Sequence, residues 1–170
     1  EAFIICEDFI ADDNVTLILG DNIFHGNLRI SDVVNNFNEG CQIFGYSVKN
    51  PKRYGVLNLG ENGDLKDIIE KPQNPPTNFA VPGLYIYDNK VVDFSKNLEP
   101  SRRGELEITD LNKKYLSIGK ISVQIIGRGV AWFDVGKSES LQRAGTFSLR
   151  CKTPFKRRIV FSSDVGTSAP

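Results

Sequence analysis

The sequence contains no methionine, one histidine, one tryptophan and three cysteines among its 170 residues. Each scarcity removes a class of protein. A lone His25 cannot build a histidine metal cluster. Cys6, Cys41 and Cys151 are odd in number and widely spaced, which fits neither a disulfide framework nor a zinc site and suits a reducing cytoplasm. No apolar run is long enough to span a bilayer, and no stretch reads as a secretory signal. Net charge is missing too: 21 basic residues balance 21 acidic ones, so no global field favours nucleic acid or an anionic membrane. The absent methionine carries one more expectation. The chain starts at Glu1 inside an apolar pattern, Ala2-Phe-Ile-Ile-Cys-Glu-Asp-Phe-Ile10, that reads as the second half of an uncapped helix, as a fragment would.

What is present suffices for one domain with a real core. The chain is organised around Val15-Thr-Leu-Ile-Leu-Gly-Asp-Asn-Ile-Phe-His-Gly26. Its aliphatic, β-branched start, closed by Gly20, predicts a strand over 15–19 buried on both faces. Asp21 then falls just past the strand's C-terminal end, the rim at which open α/β sheets bind ligands. An Asp there can hold a metal or a sugar hydroxyl, and an Asp-Asn pair can equally be a turn without chemistry.

Downstream, Ser31 predicts an N-cap, Val33, Val34 and Phe37 a helical face, and Gly40 the helix end. Cys41–Val48 reads as the next strand. Strand, helix and strand together have the length of a right-handed βαβ unit, so the two strands are expected to run parallel. Tyr54–Leu59 and Leu65–Glu70, joined through Asn62-Gly63, predict a β-hairpin. Phe79–Tyr87 predicts a strand bent by Pro82-Gly83. Helices are expected over 89–98, from about Ser101 to Gly119, and over 138–149, with strands over 121–126 and 132–136. The basic stretch Arg150–Arg158 and the loop-like end read as a solvated tail.

Six motifs occur in order: Leu19-Gly-Asp-Asn22, Arg53-Tyr-Gly-Val56, Ile69-Glu-Lys-Pro72, Ala80-Val-Pro-Gly-Leu-Tyr85, Arg103-Gly-Glu-Leu-Glu-Ile-Thr-Asp110 and Gly127-Arg-Gly-Val-Ala-Trp-Phe-Asp-Val-Gly136. Together they resemble the glucose-1-phosphate thymidylyltransferases, a branch of the sugar nucleotidyltransferases, over roughly residues 1–147. The resemblance implies an α/β fold with a Rossmann-like, mostly parallel mixed sheet flanked by helices and a β-hairpin insertion for sugar binding. It implies a partial nucleotidyltransferase domain over 1–147 and a divergent, poorly ordered tail over 148–170.

The family's reaction joins dTTP and glucose 1-phosphate into dTDP-glucose with release of pyrophosphate, on the way to dTDP-rhamnose. By the resemblance Asp21 and Asp134, which lie 113 positions apart (134 − 21), would hold Mg²⁺. Asp21, Asn22, Gly55, Glu70, Lys71, Val81 and Glu105 would line the substrate site. Glu70 would accept hydrogen bonds from glucose hydroxyls, Lys71 would sit on the phosphate side, Gly55 would permit close approach of the sugar, and Val81 would contribute main chain. Arg103 is a further candidate at the sugar. His25 takes a position that is commonly aromatic, which implies packing. The partners implied are small molecules in a cytoplasmic homo-oligomer, a tetramer, with no nucleic acid and no membrane.

The family's Gly-rich loop with its Thr-Arg, and the lysine that follows it, have no match here, so no catalytic residue is assigned. The parent is therefore expected to be an enzyme and this chain alone to have little or no activity, with poor solubility from an exposed sheet edge. A non-catalytic sugar-nucleotide binding module, a truncated gene product, and a uridylyl- or cytidylyltransferase for a related hexose phosphate stand as alternatives.

Overall fold

The computed structural model describes residues 1–150 apart from 102, 103, 105 and 137, and the side chains of 139 and 148–150 are not described. The expected tail lies outside the described residues from 151 onward. Two short helices, α1 (Ala2–Ile5) and α2 (Glu7–Ile10), lead through a turn into β1 (Val15–Ile18). There follow β2 (Asn22–Gly26), α3 (Ile30–Asn36), β3 (Cys41–Ser47), β4 (Gly55–Leu59) and β5 (Leu65–Glu70). The remainder is β6 (Phe79–Ala80), β7 (Leu84–Tyr87), α4 (Val91–Lys96), α5 (Ile108–Ser117), β8 (Ile121–Ile125), β9 (Val130–Asp134) and α6 (Ser138–Arg150).

The main sheet runs β1-β7-β3-β6-β4-β5, with β8 also paired to β3, and β2 and β9 form a separate two-stranded ribbon. The sheet is mixed, as expected, but its neighbours are mostly antiparallel. Among the described residues β3 and β8 form the one parallel pair. β1 and β3 do point the same way, since both pair antiparallel with β7, which is inserted between them. The βαβ length therefore reports strand direction correctly and misses the intervening strand.

That insertion also overturns the burial expected of β1. The strand buried on both faces is β7, with Leu84 and Ile86 facing one core and Tyr85 and Tyr87 the other. β1 has one neighbour among the described strands, and its side chains alternate half-buried and exposed. On one face of the sheet Cys41, Ile43, Leu57, Ile68, Tyr85 and Tyr87 pack with Phe3, Val91, Leu111 and Tyr115 of the helices. On the other, Phe44, Leu84 and Ile86 pack against Val33 of α3, Phe37 just after it, and Phe24 and Val130 of the ribbon.

Buried polar groups knit the first face together. The Tyr115 hydroxyl donates to Asp88 Oδ1 at 2.7 Å, while the Gly40 amide donates to Asp88 Oδ2 at 2.8 Å. The Tyr87 hydroxyl donates to Asn112 Oδ1 at 2.6 Å. Asp88 thus ties the end of β7 to the entry of β3 and to α5.

The hairpin forms as expected, with the turn closed by the Gly63 amide donating to the Gly60 carbonyl at 2.9 Å. The strand over 79–87 divides at residues 81–83 into β6 and β7, both paired with β3. Pro82 has no amide to give a ladder, which accounts for the break. Three local expectations fail. Ser31 is inside α3 rather than its cap; the helix starts after Arg29, at φ 51°, whose guanidinium pairs with Asp32 in the first turn at 2.7 Å. Gly40 does not end that helix, which stops at Asn36; it shapes the entry to β3 at φ 89°. The helix placed from Ser101 begins only at Ile108, after Gly104 adopts φ 76°.

Candidate active site

The ribbon is what assembles the site. β2 and β9 pair antiparallel in a register that sets Asn22 opposite Asp134 and His25 opposite Ala131. The Val135 amide donates to the Asp21 carbonyl at 2.7 Å, fastening the two ends together. Two aspartates far apart in sequence thereby become neighbours. A Cβ placed on Gly136 would lie 3.3 Å from Asp21 Oδ2 and 3.4 Å from Asp134 Oδ1. The missing side chain leaves a small cradle bounded by one oxygen of each carboxylate.

Among the described residues no group of three or more His, Cys, Asp or Glu comes together. At this cradle the described residues thus offer two carboxylates. That donor set suits a hard divalent cation that keeps several waters and takes the rest of its oxygens from a phosphate.

Around the pair the hydrogen bonds are specific. Asn22 Oδ1 accepts from the Gly83 amide at 2.9 Å and from the Trp132 indole N–H at 2.7 Å, and Asn22 Nδ2 donates to Asp21 Oδ1 at 2.8 Å. Gly83 is obligatory at this contact, because a Cβ there would meet Asn22 Nδ2 at 2.7 Å and Leu19 Cβ at 2.8 Å. Trp132 packs against Tyr54 with ring centroids 5.1 Å apart and edge-on to Tyr46 at 5.7 Å. The Tyr54 hydroxyl is raised above its ordinary pKa, first by burial and then by the nearby Asp134 carboxylate.

The hairpin supplies the second half. Its register sets Gly55 opposite Glu70. The Thr109 hydroxyl, at the start of α5, donates to Glu70 Oε2 at 2.7 Å. A Cβ on Gly55 would meet Thr109 Oγ1 at 3.2 Å and Glu70 Oε2 at 3.4 Å, so glycine leaves room for this contact. Lys71 Nζ lies 3.6 Å from Glu70 Oε1. Its backbone sits at φ 43°, left-handed for a non-glycine, and its amide donates to the Tyr54 carbonyl at 3.0 Å. The Val81 amide donates to the Gly55 carbonyl at 2.8 Å, so its main-chain donor is already spent inside the sheet.

The structure therefore gathers Asp21, Asn22 and Asp134 at the ribbon, and Gly55, Glu70, Lys71 and Val81 at the hairpin and β6. Glu105 and Arg103 lie outside the described residues. His25 packs edge-on against Phe147 of α6 at 5.4 Å, as its aromatic-like position implied. Sequence reasoning missed Trp132, Tyr54, Thr109, Gly83 and Gly136 as individual parts. All five lie inside the six motifs, so the signal was their place beside a carboxylate or a turn.

A mixed sheet with helices on its faces and acidic residues at the rim is the nucleotide-diphospho-sugar transferase architecture. A solved UDP-glucose pyrophosphorylase complexed with UDP-glucose shares this fold at TM-score 0.75 and 20% identity, covering 88% of this chain and 61% of that one. The chain belongs to the nucleotidyl transferase family, whose model matches residues 1–150. It is similar to the glucose-1-phosphate thymidylyltransferase of Neisseria meningitidis serogroup A / serotype 4A, 52% identical over 149 residues, covering 86% of this chain and 52% of that protein. The enzyme of the same name from Xanthomonas campestris pv. campestris strain B100 is 46% identical over 152 residues, covering 86% and 50%. A Bacillus anthracis structure assigned that name, in complex with sucrose, has a TM-score of 0.78 at 40% identity and covers 92% of this chain and 62% of that one. The chain spans about half the length of the curated relatives it matches. No helix among the described residues is long and apolar enough to cross a membrane.

Proposed function

We propose that the chain is the sugar- and metal-binding part of a glucose-1-phosphate thymidylyltransferase, an enzyme that joins dTTP and glucose 1-phosphate into dTDP-glucose and pyrophosphate. The observation that carries this reading is the cradle at Gly136, bounded by Asp21 Oδ2 and Asp134 Oδ1. The names of the relatives give it its substrate class.

Each part of the chain then has a task. Asp21 and Asp134 would hold Mg²⁺, which when bound offsets charge on the phosphate oxygens of the reacting groups. Glu70, held by Thr109, presents its carboxylate to sugar hydroxyls, and a carboxylate accepts such bonds more strongly than a neutral group. Lys71 stands next to it as a point charge for phosphate. Gly55 keeps the sugar's approach open. Asp21 and Asn22 border the same space on the ribbon side. The cytoplasmic tetramer and the route to dTDP-rhamnose implied by the resemblance belong to the same proposal, as does the expectation that this chain alone turns over little or no substrate.

Isothermal titration of the chain with dTDP-glucose in MgCl₂ tests the reading. Binding that Asp134→Ala abolishes is the expected result. Absence of binding by the unaltered chain would overturn it. Family-like pyrophosphate release by this chain from dTTP and glucose 1-phosphate would sink the expectation of inactivity and leave the substrate assignment standing.

A further inference from the structure

The side chain of Asn22 is almost fully committed within the protein. Its oxygen accepts two bonds, from a backbone amide and from an indole N–H. Both partners are donors only, so they fix which way the amide points without reference to anything bound. The oxygen must face Gly83 and Trp132, and the NH₂ must therefore face Asp21, where it donates to Oδ1 at 2.8 Å. Asp21 thus has one carboxylate oxygen tied to Asn22, while the other borders the Gly136 cradle. The indole itself is gripped between the Tyr46 and Tyr54 rings, half-buried on β9.

We propose that Trp132 is a positioning residue that acts through Asn22 to aim the free oxygen of Asp21 into the cradle shared with Asp134. This deepens the metal-site reading and rests on it. Without the indole N–H, Asn22 loses one of the two donors that orient it and can rotate, and the Asp21 carboxylate loses its fixed plane. Trp132 touches neither the cation nor a reacting atom in this role. Asn22 keeps one amide hydrogen for a ligand, so positioning and substrate contact are compatible.

The full chain can be tested with Mn²⁺ alone as probe, its free concentration read by electron paramagnetic resonance. Trp132→Phe keeps an aromatic ring between the two tyrosines and removes the N–H together with part of the indole bicycle. The expected result is a loss of Mn²⁺ affinity of about three- to tenfold, the weight of one hydrogen bond, in a variant that still unfolds cooperatively. Asp134→Asn serves as the reference and should lose binding far more heavily. If Asp134→Asn loses binding and Trp132→Phe does not, the positioning role is overturned and the metal site stands. If Asp134→Asn binds as well as the unaltered chain, or the unaltered chain binds no Mn²⁺, the metal reading falls and this one falls with it.

A second measurement does not depend on the folding of Trp132→Phe. Trp132 is the only tryptophan of the chain, so its indole N–H gives a single resonance in a ¹⁵N–¹H spectrum. Asn22→Ala should move that proton upfield and speed its exchange with water. An unmoved signal would overturn the hydrogen bond on which the role depends.

Discussion

At the scale of the residue, the site depends as much on side chains that are absent as on those that are present. Gly136 is exposed, and its contribution is the volume it leaves between two carboxylates. Gly136→Ala would put a methyl group 3.3 Å from Asp21 Oδ2, a tight contact, and 3.4 Å from Asp134 Oδ1, at the near edge of ordinary contact. Since the residue is exposed, stability should change by no more than about 0.5 kcal/mol. Mn²⁺ affinity should nevertheless fall several-fold, because the oxygens must spread or the cation must sit off-centre. Calorimetric melting and a Mn²⁺ titration of the same sample would separate the two effects. A variant that melts normally and binds normally would show that the cradle is not where the cation sits. Asp21 and Asp134 were legible because each lies within a motif beside a strand terminus. Gly136 and Trp132 were not, since a glycine after a strand and a tryptophan within one are both explained by local structure until the register of the ribbon is known.

At the scale of the element, the face that carries α4 and α5 is held by aromatic rings whose hydroxyls have few places to go. Tyr85 and Tyr87 are stacked 6.0 Å apart on β7, and Tyr115 lies 5.6 Å from Tyr87. Burial raises the pKa of all three above the ordinary 10.0, the Asp88 hydrogen bond adds to the shift of Tyr115, and burial likewise raises the Cys41 thiol above its ordinary 9.0. The folded state keeps these groups neutral, whereas the unfolded chain ionises them at their ordinary values. Their contribution is therefore complete below pH 9 and is lost as pH rises beyond 9 to 10, at up to about 1.4 kcal/mol per pH unit for each group. Urea midpoints between pH 8 and pH 11 should fall accordingly. In Tyr115→Phe, Asp88 loses a buried donor, so stability at neutral pH should drop by about 1–3 kcal/mol while the alkaline decline becomes shallower. A midpoint constant through pH 11 would contradict this account of the core. The hairpin was legible here because Asn62-Gly63 encodes its own turn, and the bend at Pro82-Gly83 because proline cannot continue a ladder. β2 was not. It has only five residues, and the partner that stabilises it, β9, lies far along the chain, so nothing local marks it as a strand.

At the scale of the whole molecule, the edge at β1 sets the solution behaviour. β1 has a single neighbour among the described strands, which leaves its other side with backbone amides and carbonyls that no described strand covers. Close to it in sequence, Ile5 is 80% exposed, Phe9 88% and Ile18 54%. An uncapped edge beside apolar side chains favours pairing with other chains, and this edge lacks the usual protections: its residues Val15-Thr-Leu-Ile18 include neither charge nor proline. The chain should self-associate, with apparent mass rising with concentration in light scattering, and should do so most strongly near neutral pH, where its charges balance. Ile18→Lys places a charge on the edge itself and Phe9→Asp removes the largest exposed ring, and the pair together should restore a monomer near 19.0 kDa. Neither substitution touches the Gly136 cradle or the hairpin, so Mn²⁺ binding should survive in the double variant. If the double variant associates as strongly as the unaltered chain, the β1 edge is not the surface responsible, and the other described strands of the sheet with one partner, β5 and β8, become the places to look.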